Sequence, residues 1–411
     1  MASGDSVCTV ITMSARPTTS VQPVLRRARI GVALLFLTNG ALFANILPRY
    51  PEIKATLGMD AVTYGTAVAA FPAGAMTAGL AAAALIRRFG SARVAVVGTV
   101  VTSLGLLAAG LAPSAVLFAL ALFVGGAADA VTDVGQNAHS LRVQRGYGRS
   151  IINSFHAIWS IGAVLGGSMA AAAIALRIPL GIHLAISAVV FCTAAVIASR
   201  MCLPGRDEPG RERGVEVGTT TRGGIPVRTV FILLALVLVA IVGAVVEDAG
   251  MSWATLYLSA TLAAPAALAA TGYIALAGAQ FVGRLVGDRF VDRFGQRAVA
   301  PAGGLLIALG MGLALAFPSV PGTIAGFAVA GFGSATLIPA AFQAADALPG
   351  LRHGAGLTIV SWLLRLGFLL SPPFVGFIAD NAGLRAGLLV VPVAGVVAIV
   401  CAGVLTGRPR R

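Results

Sequence analysis

The chain has 411 residues, of which 58% are hydrophobic and only 11% charged, against roughly a quarter charged in an ordinary soluble domain. A large water-soluble domain is excluded, because apolar stretches recur from end to end and leave no polar surface to cover one. The net charge of +14 would suit a nucleic-acid binder, but the basic residues fall between the apolar stretches, which points to a bilayer and to no nucleic-acid partner.

Residues 1–25 are Ser/Thr-rich, carry Asp5 and lack an early basic cluster. They do not fit a secretory signal peptide and read as a disordered tail, with Met13 as an alternative start. Apolar runs then place spans at 30–48, 62–86, 94–112, 115–138, 150–175 and 180–202, each near the length that crosses about 30 Å of hydrocarbon. Gly205 to Gly224 is polar, with Asp207, Glu208, Glu212, Glu216 and four arginines, and reads as a linker. A second set of spans follows at 228–258, 266–288, 298–317, 320–346, 355–379 and 384–406. The expected organisation is therefore a tail over 1–25, a six-helix bundle over 26–203, a linker over 204–227 and a second bundle over 228–411.

Arginines cluster in alternate loops: Arg26, Arg27 and Arg29; Arg87, Arg88 and Arg93; Arg142, Arg145 and Arg149; the run from Arg200 to Arg228; Arg289, Arg293 and Arg297; Arg352; and Arg408, Arg410 and Arg411. The other loops hold only Arg49, Lys54, Arg177 and Arg385. This asymmetry predicts a multi-pass protein of the cell membrane with both termini cytoplasmic. Arg88-Phe89-Gly90 recurs as Arg293-Phe294-Gly295, and the same offset of 205 maps Gly162 onto Gly367. Parallel six-span repeats are a transporter architecture with the solute site between the halves.

The stretch Asp288-Arg289-Phe290-Val291-Asp292-Arg293-Phe294-Gly295-Gln296-Arg297 resembles the loop 8–9 signature of the major facilitator superfamily. The resemblance covers the chain beyond the tail. It implies an all-α membrane protein of 12 transmembrane helices in two six-helix pseudo-symmetric bundles, working by alternating access. It also implies a gate role for Asp288, Asp292 and Arg293, with Arg284 joining them at four residues before Asp288. The first-half copy departs, with Ala83 and Arg87 where the second half has Asp288 and Asp292. Asp133-Val134-Gly135-Gln136-Asn137, Ser154 through Gly162, and Glu247 through Trp253 to Tyr257 resemble a bacterial inner-membrane branch related to the fucose permease group. The Gly-Pro-x-Gly-Gly signature of drug/proton antiporters is absent around Gly162 and Gly166-Gly167.

Ionisable groups inside spans are costly, so each is a candidate for the transport path. Asp129, Asp133 and Asn137 make a stripe on one helical face, and two close carboxylates in low dielectric resist double ionisation, so one can carry a proton. Asn153, His156 and Ser160 form a matching stripe in the next span. Depth counting sets His156 level with Asp133, either as a proton-binding pair or as a static hydrogen-bonded one. Glu247 and Asp248 point to different faces, so at least one is expected in the path, and Glu247 joins the proton-coupling candidates. Trp253 and Tyr257 stand on one face, as solute contacts or interfacial anchors. Arg365 is either a substrate clamp or a counter-ion for a cavity acid. Asn39, Trp159 and Gln280 are candidates to hydrogen-bond or stack on a polar solute, or to pack between helices.

Cys8, Cys192, Cys202 and Cys401 form no metal-binding cluster, no P-loop is present, and no convergent catalytic set is found, so no metal, cofactor or enzymatic activity is expected. The expected function is secondary transport of a small-molecule substrate by a monomer in the lipid bilayer, coupled to protons, with direction open. Efflux by proton antiport is the alternative, and a non-transporting receptor on the same fold is the alternative of another class.

Overall fold

The computed structural model describes residues 23–79, 81–148, 151–205, 226–348, 351 and 355–405. Met13 and most of the expected tail, the bulk of the expected linker and the last arginines lie outside these residues. Twelve helical passages follow one another: α1 (Pro23–Thr56), α2 (Ala61–Ala78 and Ala82–Phe89), α3 (Ser91–Gly110), α4 (Ala115–Tyr147), α5 (Ser154–Ala175), α6 (Leu180–Met201), α7 (Val227–Thr261), α8 (Ala266–Phe294), α9 (Gln296–Ala316), α10 (Val320–Asp346), α11 (Ala355–Ala382) and α12 (Leu384–Val404). Among the described residues eleven are single runs long and apolar enough to cross a membrane; α2 makes the twelfth when its two pieces, bent by 58°, are taken as one.

Helix α1 outruns its apolar core at both ends. It starts at Pro23, a residue favoured in the first helical turn, so residues 23–25 are helical where a tail was expected. At its far end the polar side chains find partners: Arg49 Nη1 donates to Glu52 at 2.7 Å, Arg49 Nη2 to the Ile178 carbonyl at 2.7 Å, and Lys54 to the Met59 carbonyl at 2.6 Å. Asp60 then caps α2 by accepting the Thr63 N–H at 2.7 Å. Side-chain and backbone hydrogen bonds from Thr63 hold its carboxyl below the usual carboxylate range.

The 205-residue repeat extends to conformation and contact. Gly90 and Gly295 both adopt positive φ, 87° and 82°, a region that only glycine enters freely, and the preceding arginines lie over their neighbouring rings at 5.3 Å for Arg88–Phe89 and 5.4 Å for Arg293–Phe294. Ser114 and Ser319, again 205 apart, cap α4 and α10 through the N–H groups of Leu117 and Gly322. A Cβ at Gly126 would lie 2.0 Å from the Phe71 carbonyl oxygen, and one at Gly331 would lie 2.3 Å from that of Leu276, residues that correspond pair for pair. Helix pairing repeats too: α1–α5, α2–α4 and α3–α4 in the first half become α7–α11, α8–α10 and α9–α10 in the second. Small residues let these backbones touch, which is how helices gain contact when lipid supplies no hydrophobic drive.

These close approaches predict a folding phenotype. Gly126→Ala forces a backbone separation inside one bundle and should lower stability by about 1–3 kcal/mol, read as a reduced melting temperature and poor monodisperse yield in detergent. Gly278→Ala, where an added Cβ meets nothing within 4 Å, should leave both unchanged.

The two halves meet along α2–α11 and α5–α8. Their tight contacts lie at the end away from the arginine-rich loops: Gly65 against Pro372, Gly376 against Ala61, and Gly167 against the Tyr273 ring. This asymmetry determines which residues face water.

Candidate functional site: a polar cluster between the halves

Asn39 on α1 organises the first-half part of the cluster. Its Nδ2 donates to Asp129 Oδ1 at 2.6 Å, while its Oδ1 accepts from Trp159 Nε1 at 2.9 Å and from Gln136 Nε2 at 3.3 Å. Gln136 Nε2 also reaches Asp133 Oδ1 at 3.2 Å, and Asn137 Nδ2 donates to the same oxygen at 3.0 Å. An amide is suited to this junction because it donates and accepts at once, so α1, α4 and α5 are tied through one side chain. The four-residue spacing of Asp129, Asp133 and Asn137 produces the stripe; Gln136, three after Asp133, completes it and had no assigned role on sequence grounds.

The second half contributes Glu247, Gln280, Arg284 and Arg365. Gln280 Nε2 donates to Glu247 Oε2 at 3.0 Å, and Arg284 Nη2 stands 3.5 Å from the same oxygen. Arg365 is within electrostatic reach of Asp133; a Cβ at Gly79 would lie 3.7 Å from its Nη1, so the glycine leaves room for the guanidinium between α2 and α11. Asp133 and His156 are solvent-exposed although they stand inside long apolar helices. Water therefore reaches the space between the halves from the arginine-rich end.

Three expectations change. Asp133 and His156 share a depth and interact electrostatically, yet no hydrogen bond or ion pair joins them, because α1 packs against both α4 and α5. The imidazole instead stands edge-on to Phe36 of α1, with ring centroids 5.2 Å apart. Arg284 turns toward Glu247 instead of the gate loop, which gives a partner to a carboxylate that would otherwise be buried with its charge unpaired. Trp253 lies at the closed end, fully buried and 5.0 Å edge-to-face from Tyr64. The cause is a π-helical turn over Ala249–Trp253, which alters the helical register and turns the indole toward α2. The side chain of Asn153 lies outside the described residues.

Each end has its own structure. At the closed end Tyr50, Tyr64 and Trp253 are at most 1% exposed, Tyr64 Oη donates to the Ser252 carbonyl at 2.5 Å, and the Asp380 carboxylate accepts the N–H groups of Ala61 and Val62 at 2.8 and 2.7 Å. These residues carry no local sequence signal; packing between distant segments brings them together. At the other end Asp288, Asp292 and Arg293 are exposed and form no ion pair among the described residues.

The arrangement is that of a carrier opened at one end, and comparison with known proteins agrees. The family model of the Major Facilitator Superfamily matches residues 32–290 and 248–411. An uncharacterized transporter, y4wD, of Sinorhizobium fredii is 28% identical over 91% of this chain and 97% of its own. The membrane protein MosC of Rhizobium meliloti is 29% identical over 92% of this chain and 90% of its own. Two solved structures share the fold: the nucleoside transporter NupG, at a TM-score of 0.69 and 14% identity over 93% of this chain and 98% of that one, and a D-xylose-proton symporter, at 0.70 and 16% over 92% and 95%. The protein is thus a multi-pass membrane transporter and not an enzyme, and the chain belongs to the Major Facilitator Superfamily.

Proposed function

We propose that the protein carries a small, uncharged, polar solute across the cell membrane in a cycle coupled to one proton. The observation that carries this reading is the balance of the central cluster. Glu247 pairs with Arg284 and Asp133 stands within electrostatic reach of Arg365, while Asp129 bonds the neutral Asn39, so three carboxylates against two guanidinium groups leave one negative charge, which a single proton removes. An anionic solute would have to draw Arg365 from Asp133 or Arg284 from Glu247, and Glu247 is buried, so its charge would be left unpaired at high cost. Hydroxyl groups need no such exchange. Asn39, Trp159 and Gln280 supply the amide and indole groups that suit them, and Gln136 Oε1 is a buried acceptor without a partner.

Asn39 gives coupling a physical route. Gln136 Nε2 is shared between Asp133 and Asn39, and Asn39 holds the Trp159 indole, so protonation of Asp133 changes the bond that orients Asn39 and, through it, the indole. By the arginine bias of the loops the open end is cytoplasmic, both termini included, and the molecule rests inward-open. Asp288, Asp292 and Arg293 then form the latch that closes when the halves rock the other way. The cluster is complete within one chain, which supports a monomer as the working unit.

The test is a thermal-shift screen of the detergent-purified chain against pentoses, hexoses, polyols, nucleosides and organic acids, followed by proteoliposomes loaded with a pH-sensitive dye. A neutral polyhydroxylated compound should raise the melting temperature, and its movement down its own gradient should change the lumenal pH. Stabilisation by organic acids alone, or solute movement without proton movement, would refute the reading.

A further inference from the structure

Asp248 takes no part in the central cluster, although it follows Glu247 directly. Neighbouring residues on a helix point about 100° apart, so Asp248 leaves α7 toward the closed end, where α1, α2 and α11 wall it in. Asp248 and Ser371 are each 5% exposed, Tyr50 is 1% and Tyr64 is 0% exposed. Asp248 Oδ1 accepts from Ser252 Oγ at 2.9 Å. Its Oδ2 makes no well-aligned hydrogen bond, and neither do Ser371 Oγ and Tyr50 Oη, although the Ser371 hydroxyl stands close enough to act on the carboxylate as a donor. The titratable groups facing it are Tyr50 from α1, Tyr64 from α2 and Glu247 from its own helix; α11 presents the Ser371 hydroxyl. None of these groups brings positive charge.

A carboxylate sealed from water with no cation beside it is a costly arrangement, and the Ser371 and Tyr50 hydroxyls, which can donate to it, bring no compensating charge. A neutral carboxyl removes the buried charge, and its own hydroxyl can donate to Ser371 Oγ or Tyr50 Oη. We propose that Asp248 is a second proton-binding residue, which locks the closed end: that end seals only over a protonated Asp248 carboxyl, and the proton leaves to water when α1 and α2 part from α7 and α11. The inference deepens the proton-coupled reading above and rests on it for its place in the cycle. Physically it is a separate site from Asp129 and Asp133, at the other end of the path.

Spin labels at Thr56 and Thr261, exposed at the closed end on opposite halves, read this opening as a distance once the four native cysteines are replaced in the full-length chain. Without solute, the parent should show the short distance in acid and a growing long-distance population as pH rises. Asp248→Asn, which donates through its amide and cannot ionise, should hold the short distance at every pH, and Asp248→Glu should restore the response. A parent distance indifferent to pH, or an Asp248→Asn response equal to the parent's, overturns the proposal. So does loss of the response in Asp133→Asn, which would assign the proton to the central cluster. An intact response that Asp248→Asn removes, in a protein that moves no protons with solute, would overturn the transport reading and still support the lock.

Discussion

Asp133→Asn is expected to collapse coupled transport while leaving exchange intact. With a pH step of one unit across a proteoliposome held at zero membrane potential, one-proton coupling sustains a solute gradient of about tenfold, since one pH unit equals about 1.4 kcal/mol. The variant should bring that gradient to unity. Asparagine nearly matches aspartate in shape, and its carbonyl oxygen can still accept from Gln136 and Asn137, which now meet Asp133 Oδ1 at 3.2 and 3.0 Å. The solute groups on Asn39, Trp159 and Gln280 therefore keep their places, and counterflow of labelled against unlabelled solute should continue. Coupling that survives would make Asp133 a static partner of Arg365 and move the proton to Asp129. The comparison is informative with Asp129→Leu, because Asp129 Oδ1 accepts from Asn39 at 2.6 Å, and removing that acceptor should free Asn39, disturb Trp159 and weaken exchange.

The span pattern was legible in the sequence because hydrocarbon thickness fixes the length of an apolar run, and the repeat because Arg88-Phe89-Gly90 and Arg293-Phe294-Gly295 share a backbone turn that needs glycine. The α4 stripe was legible for the same kind of reason: four-residue spacing is a property of one helix. What local spacing does not contain is the neighbour of a stripe. His156 has the depth expected from counting residues, yet α1 occupies the ground between α4 and α5, and Phe36 takes the contact. The direction in which Arg284 points depends on Glu247 lying on a helix more than thirty residues earlier. The π-helical turn that carries Trp253 into the closed end has no signature in the residues Ala249–Trp253, and Tyr50, Tyr64 and Ser371, which face Asp248, come from three other helices.

Gly376→Ala is expected to impair closure of that same end without unfolding the protein. A Cβ there would lie 2.3 Å from the Ala61 carbonyl oxygen, and the reciprocal contact sets a Cβ at Gly65 2.2 Å from that of Pro372. Real Cβ atoms do not approach backbone so closely, so α2 and α11 must separate. Gly376 and Asp380 share a face of α11 at four-residue spacing; the glycine brings the helices near enough for the Asp380 carboxylate to bind the first N–H groups of α2, where a negative charge also meets the positive end of the helix dipole. Separation loses steric fit and this capping together. Overpacking typically costs about 1–3 kcal/mol, enough to shift the balance between open and closed ends by roughly 5- to 150-fold. Transport should fall by a similar factor, and Gly65→Ala should reproduce the effect. The contrast with Gly126→Ala follows from where each contact lies. Gly126 packs within one bundle, whose contacts persist through the cycle, so its loss appears as instability. Gly376 packs between bundles, in a contact that a carrier must break at each turnover, so its loss should appear as a normal melting temperature, a closed-end label more accessible to water-soluble reagents, and slowed transport. Unfolding of Gly376→Ala, or transport at the parental rate, would show that the halves do not separate along α2 and α11.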